Sequence, residues 1–241
     1  MHRGAWRVWA VALSMLAVTM MFTDEARAER VELELVLAID TSTSVNADEY
    51  ELQRKGIAEA LRHPSVLNAI AGLGEAGMAL TIVQWSGSGK QITAVPWTRI
   101  NSTPTALAFA AGVDRMPRRL KGFTDIGGAI QFSTASLLTN EFDGRRLVID
   151  VSGDGTSDRN DPRIARDAAI SQGIVINGLI IHSIDYDLGD LARFDLHQHY
   201  LHRVIGGPGA FLLNAESFQT FAESMRDKLV REITGPLLAA R

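Results

Sequence analysis

Between residues 40 and 44 the chain reads Asp-Thr-Ser-Thr-Ser, which places a carboxylate and two hydroxyls on alternate residues. Oxygen groups at alternate positions of a loop can converge on one hard cation. Two other stretches offer isolated oxygens beside glycines, which let backbones approach closely. Thr124 lies in Gly122-Phe123-Thr124-Asp125-Ile126-Gly127-Gly128, and Asp154 lies in Ser152-Gly153-Asp154-Gly155. Taken together, Asp40, Ser42, Ser44, Thr124 and Asp154 form an all-oxygen donor set. Such a set suits Mg²⁺, with Mn²⁺ or Ca²⁺ as variants, better than zinc or copper. Only two of the five are carboxylates, so a bound ion could still attract an acidic group from outside. Ser42 and Ser44 could also be plain turn and cap residues, but that simpler reading leaves Thr124 and Asp154 unexplained.

The elements that must position these groups can be read from the hydrophobic pattern. Residues 33–39 form an apolar run, read as a first strand, with Asp40 at its end. Asn46 and Glu49 then make a capping box for a helix that ends or kinks at His63-Pro64. Residues 78–85 read as a buried strand, and residues 91–97 as its return after the turn Ser86-Gly87-Ser88-Gly89. Pro96 fits a sheet edge. Helices are predicted from Ser102 or Thr103 to about 116, from about 126, from Asp161-Pro162 to about 172, and over 217–233. Asp143-Gly144 reads as a turn. Residues 147–151 and 174–181 read as further strands, the latter nearly all apolar as in a sheet covered on both faces. Strands alternate with helices, which predicts a doubly wound α/β fold with a mostly parallel sheet and an antiparallel edge strand. Asp40, Thr124 and Asp154 then share the rim where ligands bind in open parallel sheets.

Composition narrows the possible functions. The chain has 241 residues and no cysteine, which excludes a thiol nucleophile, thiolate metal sites and disulfides. His2, Arg3 and Arg7 precede an apolar run over 8–22, and Ala26-Arg27-Ala28 fits a small-x-small cleavage site. Residues 1–28 are therefore expected to be a signal peptide and residues 29–241 a single domain. The run is shorter than the ~20 residues that span a bilayer, so no stable membrane span is expected after cleavage. Removal of 1–28 leaves 21 basic and 26 acidic residues, a net charge of −5. With no basic patch bearing interleaved aromatics, nucleic-acid binding is not expected. Periplasmic or secreted localisation follows from the leader.

The order and spacing of Asp40-x-Ser42-x-Ser44, Thr124 and Asp154 resemble the metal-ion-dependent adhesion site (MIDAS) of von Willebrand factor type A domains. The resemblance spans about residues 31–235. It implies that Ser42, Ser44 and Thr124 bind Mg²⁺ directly, and that Asp40 and Asp154 bind directly or through water. One coordination position is then left for an Asp or Glu of a protein partner. The chain departs from the family at Gly153-Asp154-Gly155, where Thr-Asp-Gly is common, and at Asp125, where many relatives have a neutral residue. The stretch Val204-Ile205-Gly206-Gly207-Pro208-Gly209-Ala210-Phe211, with Trp85-Ser86-Gly87, is similar to a bacterial family of exported A-like proteins of unknown function.

Other constellations are weaker. An aspartyl-phosphate phosphatase would need a second acid two residues after Asp40, where Ser42 stands, and a lysine, for which Lys121 is the nearest candidate. Ser42 and Ser44 lack the Gly-x-Ser-x-Gly setting of a serine nucleophile. His197, His199 and His202, with Asp195, read as a polar helix surface or a transition-metal site; only His199 and His202 would share a helical face. Asp150, inside a strand, needs a partner, with Arg145 or Arg146 as candidates. Asp185, Asp187 and Asp190 read as a solvated acidic loop. Arg118, Arg119 and Lys121 would favour an acidic partner. The resulting expectation is an exported, metal-dependent protein-binding module and not an enzyme; a Mg²⁺-dependent hydrolase and a metal-free envelope scaffold are the alternatives.

Overall fold

The computed structural model describes residues 28–157, 160–182 and 195–235. The expected leader, apart from Ala28, lies outside the described residues, as do Asp185, Asp187 and Asp190. A short strand, β1 (Glu29–Val31), leads into β2 (Leu33–Asp40), every residue of which is buried. β2 pairs in parallel with β3 (Met78–Trp85) on one side and with β6 (Leu147–Gly153) on the other. Beyond β6 lie the parallel strands β7 (Val175–Ile181) and β8 (Leu212–Ala215). At the opposite edge β4 (Gln91–Ile100) runs antiparallel to β3. The order is β4-β3-β2-β6-β7-β8. Pro96 sits on the edge strand β4, where its missing N–H costs no central ladder bond.

Helices cover both faces because alternate residues of β2 point to opposite sides. Leu33, Leu35, Leu37 and Ile39 pack in a core with α1 (Ala47–Arg62), α2 (Pro64–Gly72), α3 (Thr103–Asp114) and α6 (Phe221–Thr234). Val36 and Ala38 pack in a second core with α4 (Ile126–Leu138), α5 (Pro162–Ser171) and a π-helical turn, Tyr200–Val204. The fold class is thus the one expected: a mostly parallel sheet, helices on both faces and one antiparallel edge strand. Asn46 and Glu49 form the expected capping box on α1, and Pro64 starts α2 where it could not have continued α1. Gly77 (φ +64°) makes the entry to β3, and a side chain there would meet Ile100 O at 2.5 Å.

Two local expectations are corrected. Phe142–Gly144 is a short strand, β5, parallel to β1, and not only a turn. Buried Glu34 in β2 holds it, accepting from Gly144 N and from Asn140 Nδ2, each at 2.6 Å. Asp150 in β6 is partnered by neither Arg145 nor Arg146. Its neighbour is Lys228 of α6 at 3.0 Å, which also donates to Glu232 at 2.7 Å. All three side chains are buried, and Asn177 of β7 donates to Glu232 at 3.0 Å. Burial pushes the Asp150 carboxyl up to about 7, against the pull of Lys228.

Candidate metal centre

In strand order the chain passes from β2 to β3 and β4 toward one edge of the sheet, and from β6 to β7 and β8 toward the other. The crevice between the carboxyl ends of β2 and β6 is therefore the switch point at which open α/β sheets bind ligands. Asp40 ends β2, and Asp154 follows β6 directly. Across the crevice Ser44 Oγ donates to Asp154 Oδ1 at 2.8 Å, and the Ser42 and Ser44 hydroxyls are 2.9 Å apart. Ser42 N donates to Asp40 Oδ1 at 2.6 Å, while the buried Asp40 Oδ2 has no hydrogen-bond partner.

Thr124 arrives from the loop before α4. That loop is tied down on three sides. Gly122 O accepts from Thr43 N at 2.8 Å and from Thr43 Oγ1 at 2.9 Å; Asp125 N donates to Ser86 O at 3.0 Å; Ile126 N donates to Ser157 Oγ at 3.1 Å. Thr124 is 9% exposed, and a methyl added at Gly155, next to Asp154, would stand 3.9 Å from its Oγ1. All five oxygen-bearing residues named from the sequence thus reach one crevice, four of them through direct hydrogen bonds.

Their electrostatics suit a cation. Burial, then the neighbouring Asp154, pushes the Asp40 carboxyl up to about 8. Asp154 is also raised, chiefly by burial, although the Ser44 hydroxyl pulls it down. Two buried carboxylates facing each other are costly when both are ionised, and a divalent ion between them would remove that cost. Among the described residues no group of three or more His, Cys, Asp or Glu could hold a metal. In the crevice, hydroxyls must therefore complete any coordination.

Several residues shape the site in ways their sequence positions did not indicate. Arg118 does not face outward to greet an acidic partner. Its guanidinium donates to the carbonyls of Thr41, Ser42, Val45 and Asn46 at 3.0, 2.8, 2.7 and 3.3 Å. It staples the serine loop. Gln84 in β3 places Arg118 by donating to Pro117 O at 2.8 Å and accepting from Arg119 N at 2.9 Å. A lone glutamine in the apolar run Met-Ala-Leu-Thr-Ile-Val-Gln-Trp was the available signal. Asp125 is the N-cap of α4, accepting from Gly128 N at 2.9 Å, so its charge serves the helix end.

Gly153 is a point of close approach. A side chain there would meet Tyr200 OH at 2.8 Å, Asp40 Oδ2 at 3.1 Å and Trp85 Cζ2 at 3.3 Å. Burial, then Asp40, holds the Tyr200 phenol well above its ordinary range, so it stays a hydrogen-bond donor. A cavity of about 850 Å³, lined by Val148, Val175, Phe211 and Arg231 among others, lies near the other end of β6 and β7. It holds none of the five oxygen donors. A recess of about 190 Å³ does adjoin Thr124, between Gly87, Lys90 and Phe123. Phe123 is 66% exposed.

Sheet order and helix layers give a fold like that of von Willebrand factor type A domains, and solved structures agree on that fold. The pilus adhesin SpaC from Lactobacillus rhamnosus GG matches with a TM-score of 0.62 at 14% identity, over 84% of this chain and 31% of that one. Proximal thread matrix protein 1 from the mussel byssus, in a structure with a zinc-occupied MIDAS motif, matches at 0.61 and 16%, over 86% and 49%. BatB, a conserved hypothetical protein from Bacteroides thetaiotaomicron, matches at 0.56 and 14%, over 84% and 100%. The chain spans under a third of the adhesin and about half of the mussel protein. Within this class the chain belongs to the family described as "Protein of unknown function (DUF1194)", whose model matches residues 30–237. No curated protein matches the chain.

Proposed function

We propose that the protein is an exported, metal-dependent protein-binding module and not an enzyme. The observation that carries this reading is the convergence of Asp40, Ser42, Ser44, Thr124 and Asp154 on one crevice, around a buried carboxylate oxygen with no partner. A divalent ion held there, Mg²⁺ by the hardness of the donors, would bind a carboxylate from an Asp or Glu of another protein. The adhesin and the zinc-bearing MIDAS motif among the structural neighbours support this reading. The leader expected over 1–28 would take the protein to the periplasm or beyond. Among the described residues no helix is long and apolar enough to cross a membrane.

A binding role rather than catalysis is favoured because the crevice's acids would be engaged by the ion and so not free to act as base or nucleophile. The deciding experiment is a pull-down from envelope extract with wild type and Asp40→Ala, each in Mg²⁺ or EDTA. A partner retained only by wild type in Mg²⁺ supports the reading. Equal retention in all four arms leaves a metal-free scaffold. Turnover of generic phosphoesters that depends on Mg²⁺ and on Asp40 would make the protein a hydrolase instead.

A further inference from the structure

Three buried polar atoms without hydrogen-bond partners belong to side chains that meet over Gly153: Asp40 Oδ2, Tyr200 OH and Trp85 Nε1. All three residues are 0% exposed. Buried polar atoms normally find partners, so the orphaned Asp40 Oδ2 and Tyr200 OH, both beside Gly153 and the metal crevice, need a reason. Their chemistry is complementary. An ionised Asp40 only accepts, the Trp85 indole only donates, and the Tyr200 hydroxyl does both. The phenol oxygen and Oδ2 both border the space that a Gly153 side chain would fill, at 2.8 and 3.1 Å from it, and glycine leaves that space open.

Tyr200 is held for this task by unusual backbone. It opens the π-helical turn Tyr200–Val204, whose end is closed by Ile205 N donating to Tyr200 O at 3.0 Å. Gly206 then pairs with Ile176 on β7 in both directions, at 2.8 and 3.0 Å, and Arg166 of α5 donates to His202 O at 2.6 Å. π turns are rare and concentrate at functional sites. Here the turn carries a phenol from the outer helical layer to the back of the crevice.

We infer that Tyr200 is a positioning residue for the cation site: its hydroxyl donates to Asp40 Oδ2 and fixes the carboxylate with Oδ1 toward the serine loop. The inference rests on the metal-binding reading above. Asp40 then has one oxygen tied to a phenol and the other to Ser42 N, which sets its angle to the ion. Groups of this kind behind a metal ligand typically matter 10–100-fold in affinity. The link also makes cation affinity depend on the packing of 200–206 against α5 and β7.

The test is Mn²⁺ titration by calorimetry on wild type, Tyr200→Phe and Asp40→Ala, with melting curves of each in EDTA. Tyr200→Phe keeps the ring but removes the bond, so its EDTA melting temperature should fall by a few degrees while Mn²⁺ binds roughly ten-fold more weakly. A double-mutant cycle in EDTA with Asp40→Asn and Tyr200→Phe should show non-additive melting shifts, which a purely space-filling tyrosine would not give. Wild-type affinity in Tyr200→Phe overturns this inference and leaves the metal reading intact. Failure of wild type to bind Mn²⁺ overturns both.

Discussion

Asp40 is fully buried, and its carboxyl is raised to about 8 by burial and by Asp154. Its unfolded value is near 3.9. A group raised on folding gives stability that is present below the unfolded value and lost as pH rises through the folded one. In EDTA the melting temperature should therefore fall as pH goes from about 4 to 8, and saturating Mg²⁺ should flatten that decline by compensating the ionised form. A slope equally steep with and without Mg²⁺ would contradict the site. Asp40→Ala should abolish Mn²⁺ binding and, in EDTA at pH 8, melt no lower than wild type, because it removes an uncompensated buried charge. Asp40 was legible in the sequence as a polar group ending an apolar strand, and Asp154 as one between two glycines. Tyr200 was not. A tyrosine within a mixed segment carries no mark of reaching a crevice more than forty residues away in sequence.

At the scale of elements, the serine loop depends on Arg118, whose guanidinium serves four of its carbonyls. Arg118→Ala should weaken Mn²⁺ binding by at least ten-fold and cost about 1–3 kcal/mol in urea unfolding, through carbonyls left unsatisfied. An unchanged affinity would show that the loop organises itself. α6 presents a different dependence. Lys228 stands between Asp150 and Glu232, all buried. Lys228→Met should cost about 3–5 kcal/mol, since it leaves two carboxylates without a cation; a smaller loss would mean that Asp150 is protonated. Strand and helix types were readable from apolar periodicity. The partners of buried charges were not, because pairing between β6 and α6 is a matter of tertiary placement that local spacing does not encode. Arg145 and Arg146 looked right for Asp150 by sequence proximity. Neither is its partner.

Across the whole molecule, two cores meet at one sheet, and close backbone approaches set how they fit. Gly56 of α1 faces α6 so tightly that a methyl there would stand 2.7 Å from Phe221 Cδ1 and 3.1 Å from Ala222 Cα. Gly56→Ala should cost about 1–3 kcal/mol by overpacking, read as a shift in urea midpoint with no change in slope. The alternation of strands and helices sufficed to anticipate the doubly wound sheet and its antiparallel edge. The β1–β5 ribbon escaped notice, since three-residue strands carry too little pattern to stand out.

Ser44 and Asp154 touch across 110 residues of chain, and the central strands β2 and β6 that bring them together are just as remote. Such pairings are slow to form, because loop closure must be paid before the contact rewards it. The crevice depends on both strands being home, so it should be among the last features to assemble. An ion that recognises only the finished crevice could not hasten the search that builds it; it would act as a latch. Stopped-flow chevrons with and without Mn²⁺ should then share their refolding arm, while the unfolding arm drops in proportion to the affinity.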